Sequence, residues 1–459
     1  MSAKTSLSRQ LDKIKAPQTD QFKERRGKHS FLYDYKEASS IELDAHFSIG
    51  LSGFESLCQI NQSLSCFSES LFSESSKSVE RPSLSNEENE NLNNEIEAFC
   101  YKAISPYFLL NCTHKALEWL INRFRINEYN TDDFIYAILP YHETRFFVRG
   151  LQTCPTIAKR SSKWYWLKQI QRSGTPLPKQ VLIQHCISDL GFLTSLCDTL
   201  SKSLRYESNA YITFLTCILI GIIDRCNLNE NVIPIILTSI LKGIKSKYDS
   251  YTRSAYCLFS YLCTSVQLER KVCEKILKKM TKKYKPQLEE EFLQTLIVVS
   301  NCQDIESLPD KMVEYIDIDK CHDFARLQSA NKLTQLIISG LIMRCEDDEM
   351  LNKLIKLIST FDLNRIQIQT CINLINGLVE NSDDLKFYSQ VGKVLNLLER
   401  RYPEDFDNAI VTSGSNRLIF NLLADSSNNS YTNDFLYPSL LFRMLNTEDT
   451  IRQTSLIHI

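Results

Sequence analysis

The chain has 459 residues and a formal net charge of −2 at pH 7, which excludes a global basic field for nucleic acid. A hydrophobic fraction of 43% is enough for a core, and only 12 Gly and 12 Pro indicate long helices with few breaks. The longest apolar run, 212–223, is shorter than the ~20 residues that cross a bilayer, which predicts a buried helix and no membrane partner.

The cysteines predict a reduced, intracellular chain. The sequence holds 16 of them, and none forms a Cys-x-x-Cys pair. Because zinc sites need paired ligands, buried thiols are favoured over metal ligands.

Residues 1–60 predict helices that dock on other elements. A short amphipathic helix at 6–15 is too short to be stable alone, so it needs a partner. Gly50 and Gly53 predict a tight bend, after which a further helix covers 54–60.

Residues 61–94 differ in amino-acid composition from the rest of the chain. They are rich in Ser, Glu and Asn, with few large apolar side chains. Such segments cannot bury enough apolar surface to fold alone. We predict a partly disordered linker here, disordered over 83–91, with a short helix at 69–80 as an option.

Residues 95–204 predict a helical region whose most informative part is 101–152. Leu117, Leu120, Ile121 and Phe124 follow the spacing of a buried helical stripe. A polar elbow follows, because Asn, Thr and Asp side chains cap free backbone N–H groups. Proline suits the first turn of the next helix, since it lacks an N–H group.

This stretch resembles the N-terminal region of a known family. The family is U3 small nucleolar RNA-associated protein 10, also called HEAT repeat-containing protein 1, a large α-solenoid. The resemblance also includes 31–38 and 49–53 upstream and 164–167 and 189–192 downstream, so it is dense over about the first two hundred residues. Beyond that only the helical pattern is similar. The motifs that carry it are SPYFLL, ALEWLINRF, YNTDDF and LPYHETRFFVR.

Residues 205–459 predict stacked helix pairs. Short polar elbows separate apolar helices at roughly 40 residues per pair, which fits a HEAT or armadillo-like α-solenoid of antiparallel helix pairs. The predicted helices cover 209–225, 231–245, 251–265, 269–284, 288–301, 323–344, 350–360, 363–381, 385–401, 406–423 and 431–445.

The last predicted helix starts at 447 and ends with the chain, without a polar capping repeat. Terminal solenoid repeats normally need a polar outer face. We therefore expect a fragment or a truncated product, and the greater length of the resembled family agrees.

Catalytic motifs are not found in the sequence. It has no glycine-rich nucleotide loop, no Gly-x-Ser-x-Gly elbow and no His-Glu-x-x-His. The adjacent His142 and Glu143 point about 100° apart on a helix and would not work as a pair. We therefore predict no enzyme, no cofactor and no small-molecule substrate.

A basic segment interleaved with aromatic residues is the first candidate site. Its cations would contact phosphates and its aromatic rings would stack on unpaired bases. Alternatively, the tryptophans are core anchors and the charges a solvated face. The segment contains Lys159, Arg160, Lys163, Trp164, Trp166, Lys168 and Arg172.

A second candidate is the stripe His142, Arg145 and Arg149, placed on one face of the helix that follows Pro140. It would bind phosphate or an acidic partner helix, and the alternative is local salt bridges.

A third basic cluster lies at a predicted helix end, where lysines also complement the helix dipole. A solvated face is its alternative interpretation, and acidic clusters at 289–291 and 346–349 follow it. Such alternation favours a scaffold for several protein partners over a dedicated RNA groove. The lysines are Lys275, Lys278, Lys279, Lys282, Lys283 and Lys285.

The resemblance implies a nucleolar scaffold subunit of the UtpA part of the small-subunit processome. It would support pre-ribosomal RNA processing toward 18S RNA, with a link to polymerase I transcription. The implied partners are other UtpA subunits, the U3 small nucleolar ribonucleoprotein and pre-ribosomal RNA. The rival interpretation is a helical-repeat transport adaptor that binds peptide or cargo on its concave face; an enzyme on an α-helical toroid lacks candidate residues.

Overall fold

The chain is helical throughout its described parts. The computed structural model describes residues 29–206, 209–225, 231–327, 330–379 and 385–413. Every regular element within these ranges is a helix, which confirms the all-α prediction. None of these helices is both long and apolar enough to traverse a bilayer. The chain divides into two compact units, Met1–Ile236 and Leu237–Ile459.

The first unit combines short helices with 3-10 turns. Its 3-10 turns cover Gln62–Phe67, Glu74–Ser78, Arg81–Ser83, Leu139–Tyr141, Pro155–Ala158 and Tyr165–Leu167, and a π turn covers Cys100–Ile104. Its helices are α1 (Tyr35–Ser40), α2 (Leu43–Ile60), α3 (Asn86–Phe99), α4 (Ser105–Tyr107), α5 (Asn111–Phe124), α6 (Ile126–Tyr129), α7 (Thr131–Ile138), α8 (Arg145–Thr153), α9 (Lys168–Ser173), α10 (Lys179–Ser188), α11 (Leu190–Arg205) and α12 (Asn209–Arg225).

The second unit is a regular array, and α13 (Ile233–Ile244) runs across the boundary between the units. In one layer α14, α16, α19, α21 and α23 contact in succession, and in the other α18, α20 and α22 do so. The helices are α14 (Asp249–Ser265), α15 (Arg270–Lys282), α16 (Glu289–Cys302), α17 (Asp310–Tyr315), α18 (Ile318–Leu327), α19 (Asn331–Ile342), α20 (Asp348–Thr360), α21 (Arg365–Val379), α22 (Leu385–Arg401) and α23 (Pro403–Ser413).

Side chains bond across successive repeats of this unit at a near-constant sequence separation. Gln303 Nε2 donates to Cys263 O at 2.8 Å over 40 residues, and Tyr402 Oη donates to Phe361 O at 2.7 Å over 41. Each repeat therefore satisfies polar groups of its neighbour as well as covering its apolar face. This confirms the predicted spacing of roughly 40 residues per pair. Further bonds of this kind are Arg253–Glu291, Lys285–Asp249 and Gln367–Asn331.

Most predicted helices of the array coincide with observed ones, but the single helix predicted over 323–344 is wrong. The structure has α18 and α19 there, and α17 and the start of α18 were not predicted. The sequence between the two helices, 328–330, contains no Gly or Pro that would have predicted the break. The predictions at 6–15, 431–445 and 447–459 lie outside the described residues.

The predicted bend at Gly50 and Gly53 is also wrong. Both glycines lie inside the continuous helix α2, where they face α5. A Cβ atom at Gly53 would lie 2.8 Å from the backbone nitrogen of Ala116, and one at Gly50 would press on Trp119. Glycine therefore serves close helix packing here, and not a turn.

We expect Gly53→Ala to destabilise the first unit by about 1–3 kcal/mol, because backbone atoms of α5 would have to move. Urea unfolding followed by tryptophan fluorescence measures this. Gly377→Ala is the matched control, since a Cβ there meets nothing within 4 Å. Far-UV circular dichroism should show that variant as stable as the wild type or slightly more so. Equal behaviour of the two variants would contradict the close-packing role.

The segment 61–94, predicted as a partly disordered linker, is built into the first unit. Leu64, within the first 3-10 turn, and Leu71, after it, are both completely buried. Phe72 stacks on Phe54 of α2 with ring centroids 4.2 Å apart. Ser85 starts α3 with a capping box, in which its hydroxyl and the Glu88 carboxylate bond reciprocally to backbone N–H groups. The burial of these few apolar side chains and the capping box therefore explain why the segment is folded despite its polar composition.

The remaining predicted boundaries, 1–60, 95–204 and 205–459, stay predictions. The end of α3 is tied to other helices of the first unit. Lys202 of α11 pairs with Glu97 of α3 at 2.6 Å and with Asp133 of α7 at 3.0 Å.

Candidate partner-binding surface

The backbone of residues 30–33 is held by a buried carboxylate of α5. Glu118 is 0% exposed. Its Oε2 accepts from the backbone N–H groups of Phe31 and Leu32, at 2.8 and 3.0 Å, and from Ser30 Oγ at 3.0 Å. Asn122 Nδ2 donates to Oε1 at 2.9 Å. Hydrogen bonds to a charged acceptor are strong, so Glu118 fixes this segment on the core.

Arg149 of α8 holds the same segment from its carbonyl side. Its Nε donates to Phe31 O at 2.9 Å, and its Nη2 donates to Tyr33 O at 2.5 Å. The aromatic ring of Phe31 packs 4.9 Å from the ring of His114 in α5. Three motifs of the family resemblance therefore meet in one clamp, formed by residues 30–33, Glu118 and Arg149. We name it the N-terminal clamp.

The predicted stripe of His142, Arg145 and Arg149 on one helix face is not formed. Helix α8 starts only at Arg145, after Thr144 caps it by accepting from Phe147 N. His142 precedes the helix and is buried, with its Nδ1 2.8 Å from Leu177 O. Burial lowers the pKa of His142, so it is neutral near pH 7. Of the three, only Arg145 has an exposed side chain.

Trp164 is a core anchor. It is 1% exposed, and its indole N–H donates to Asp132 Oδ1 at 2.7 Å. Lys163 pairs with the other oxygen of Asp132 at 2.8 Å and lies over the ring of Tyr136. Each oxygen of Asp132 therefore has a partner, and Trp164 is too deeply buried to stack on a base.

Trp166 lies in the same aromatic cluster. Its ring is 5.5 Å from Phe192, which also touches Trp164, and it stacks on His185 at 4.0 Å. Its indole N–H is buried without an acceptor among the described residues. Both tryptophans pack against Phe192. This agrees with the alternative interpretation, in which the tryptophans are core anchors.

The exposed cations of the predicted basic segment are Lys159, Arg160, Lys163 and Arg172, of which Lys163 is paired with Asp132. Lys168 is half-buried over the ring of Tyr165, at 4.7 Å. Lys159 also borders an open polar depression of about 470 Å³, together with Asp132 and Ser162. The segment thus offers three exposed cations that form no salt bridge within the described residues, and it has no exposed aromatic platform.

An apolar patch lies beside Arg145. Phe146 is 43% exposed and packs its ring 4.5 Å from His114, while Leu109 and Leu110 before α5 are also exposed. Sequence reasoning did not single out this patch. An arginine next to exposed aromatic and aliphatic side chains is the composition of protein-interface hot spots.

Two charged residues in the interior were also missed. Glu118 lies on the buried stripe that Leu117 and Ile121 define, so its position on the helix was a usable signal. Arg81 is 3% exposed and donates to Phe124 O at the end of α5. No local pattern around Arg81 indicates burial, because its partners come from distant parts of the chain.

These features define a class of protein. The chain is an α-helical repeat protein of the HEAT type, whose first unit carries a clamped N-terminal segment and whose described surface offers charged and apolar patches.

Comparison with known proteins identifies the family. Residues 228–345 match the model of U3 small nucleolar RNA-associated protein 10. Human HEAT repeat-containing protein 1 is 36% identical over 322 residues, which cover 67% of this chain and 15% of the human protein. The Drosophila melanogaster homolog is 29% identical over 88% of this chain and 22% of its own length. U3 small nucleolar RNA-associated protein 10 of Coccidioides immitis is 27% identical over 74% of this chain and 20% of its own length.

The chain belongs to the U3 small nucleolar RNA-associated protein 10 family, as the motifs of the first unit indicated. The family model lies within 228–345, where the sequence analysis saw only a similar helical pattern, so the resemblance extends further than expected. The chain spans 15% of the human relative and 22% of the fly relative. An engineered protein of known structure covers 92% of this chain at 10% identity with a TM-score of 0.24, which carries no weight for the fold.

Proposed function

We propose that this chain is a helical scaffold in ribosome biogenesis. The observation that carries the proposal is its similarity to proteins named U3 small nucleolar RNA-associated protein 10. A repeat array with an extended surface suits the assembly of several macromolecules. Among the described residues, no group of three or more His, Cys, Asp or Glu side chains is placed so that it could hold a metal ion.

The finer proposal places the chain in the nucleolus, as a subunit of the UtpA part of the small-subunit processome. Its partners there are other UtpA subunits, the U3 small nucleolar ribonucleoprotein and pre-ribosomal RNA. It supports the processing of pre-ribosomal RNA toward 18S RNA, and it also supports transcription by polymerase I. The names of the relatives and the motifs shared with the family support this setting.

Affinity purification of the tagged chain from nuclei tests the proposal. We expect U3 RNA and processome proteins to be enriched, and part of the protein set to persist after ribonuclease treatment. Recovery of cargo receptors or coat proteins without U3 RNA would overturn it in favour of a transport adaptor. A fluorescent fusion should concentrate in the nucleolus.

Direct RNA contact by the first unit has a separate test. We expect Lys159→Glu/Arg160→Glu/Arg172→Glu to lower crosslinking to pre-ribosomal RNA on the order of tenfold, because three exposed cations are reversed. Lys163 is left intact, since its loss would unpair Asp132.

The matched control for that variant is Lys36→Glu/Lys311→Glu/Lys393→Glu. It changes the net charge equally at three exposed lysines on separate helices. Equal crosslinking of the two variants would assign the basic segment to solvation or to protein contacts.

A further inference from the structure

Helix α15 carries a row of lysines on its solvent side. Lys271, Lys275, Lys278 and Lys282 are exposed and Lys279 is half-buried. Because they recur at three- and four-residue steps, they share one face, which extends about 16 Å along the helix axis. These five side chains, together with Glu274, line an open depression of about 320 Å³. We call the five lysines the lysine face.

The opposite side of α15 fixes this orientation. Cys273, Ile276, Leu277 and Met280 are all buried, each at most 2% exposed. Rotation of the helix would expose them, so the lysines cannot turn inward. The lysine face is therefore a permanent feature of the surface.

The lysine face has no carboxylate partner among the residues that the structure describes. Within the described residues none of its five lysines forms a salt bridge, although many other cations of the second unit do. Lys285 pairs with Asp249 at 3.0 Å, and Arg253 pairs with Glu291 at 2.8 Å. These pairs join successive repeats, whereas the lysine face points its charges to solvent.

The one carboxylate among these lysines is already occupied. Arg270 Nε donates to Glu274 at 3.1 Å, and the same guanidinium also bonds to Glu306. Lysines four apart on a helix repel each other and destabilise it slightly. An external polyanion would remove this repulsion, and no described part of the chain does so.

The amino-acid composition of the lysine face favours a phosphate backbone over an acidic protein as its ligand. Protein interfaces are depleted in Lys and rely on aromatic and Arg anchors. Helix α15 has no aromatic residue, and none of the exposed large apolar residues of the described chain lies on it. Lys binds phosphate as a point charge, without bidentate geometry. Such a face follows a backbone and reads no bases.

We propose that the lysine face binds RNA through its phosphates, without sequence specificity. The choice of RNA as the polyanion rests on the proposed function, whereas the binding of a phosphate backbone by α15 rests on the lysine face itself and is tested with synthetic RNA. Recovery of U3 RNA from cells and binding of RNA by purified chain can fail independently. The lysine face lies in a different unit from the basic segment at 159–172.

The test measures fluorescence anisotropy of a labelled 20-nucleotide single-stranded RNA of mixed sequence with purified full chain. The variant is Lys275→Glu/Lys278→Glu/Lys282→Glu. Each phosphate contact contributes about 0.7 to the slope of log affinity against log salt, so losing three should flatten the slope by about 2. Affinity near 0.1 M salt should fall about a hundredfold.

Two further variants keep the result interpretable. Lys275→Arg/Lys278→Arg/Lys282→Arg should bind as the wild type does, because charge is retained. The scattered variant Lys36→Glu/Lys311→Glu/Lys393→Glu should lose less than about threefold and keep its salt slope, because its lysines contribute only long-range, screened attraction. Far-UV circular dichroism checks that all three fold.

Two outcomes overturn the proposal. One is equal affinity and salt slope for the α15 and scattered reversals. The other is displacement of the RNA by polyglutamate as efficiently as by unlabelled RNA of equal charge, which would make the face a site for acidic protein.

Discussion

Glu118→Ala is expected to destabilise the first unit by about 3–5 kcal/mol, the cost of breaking a buried, hydrogen-bonded charge site. The substitution leaves the buried N–H group of Phe31 and that of Leu32 without their acceptor. Unsatisfied buried donors cost about 1–3 kcal/mol each. All three tryptophans lie in this unit, at 119, 164 and 166. Tryptophan fluorescence during urea unfolding therefore reports this unit alone.

Glu118→Gln is the conservative control and should cost about half as much. Its amide oxygen can still accept from residues 30–32, but its NH2 group would then face the NH2 group of Asn122. A glutamine variant as unstable as the alanine variant would show that negative charge, and not acceptor geometry, holds the segment.

The N-terminal clamp also predicts how Glu118 and Arg149 combine. Once Glu118→Ala releases residues 30–33, the bonds from Arg149 to Phe31 O and Tyr33 O are lost as well. Glu118→Ala/Arg149→Ala should therefore cost less than the sum of the single variants, by more than about 0.5 kcal/mol. Strict additivity would mean that the two side chains hold the segment independently.

The clamp shows which part of the fold the sequence could predict. The stripe of Leu117, Leu120 and Phe124 places α5 correctly, because buried helices repeat their apolar positions every three or four residues. The partners of Glu118 and Arg149 within residues 30–33 are 86 to 118 residues away in sequence. No local pattern encodes such distances, so Arg149 was read as a surface residue.

The glycines of α2 and the polar segment after it show a second limit. Glycine is compatible with a bend or with a close helix contact, and only the position of α5 decides between them. The composition of 61–94 predicts disorder, although Ser85 and Glu88 already carry a capping-box pattern. The capping box is a specific local signal for a helix start, and it describes this segment better than its composition does.

The candidate surface was predictable only in part. The lysine-rich composition of α15 is visible in the sequence, and so is its apolar side. What the sequence could not provide is which cations find partners in neighbouring repeats. Lys285 was grouped with the lysines of α15, yet the structure pairs it with Asp249 and leaves Lys275 and Lys278 free of salt bridges within the described residues.

Arg81 is a second buried charged residue whose replacement should strongly destabilise the first unit. Its guanidinium is almost fully buried and joins three elements of the first unit. Nε donates to Phe124 O at 3.1 Å, Nη1 donates to Asn93 Oδ1 at 2.6 Å, and Nη2 donates to Asn130 Oδ1. Burial lowers the pKa of Arg81 to about 10, so it stays charged at pH 7. The negative C-terminal end of α5 favours a cation at this place.

Arg81→Met should destabilise the first unit by about 3 kcal/mol, and Arg81→Ala by about 4 kcal/mol, because Phe124 O and Asn130 Oδ1 lose their donor. Methionine fills most of the volume, so the difference between these variants measures packing alone. Arg81→Lys keeps the charge but cannot serve three acceptors in separate directions. It should therefore be about as unstable as Arg81→Met in urea unfolding followed by tryptophan fluorescence. A lysine variant as stable as the wild type would show that charge alone suffices here, and that the three-way geometry of the guanidinium contributes nothing to the attachment of 61–94.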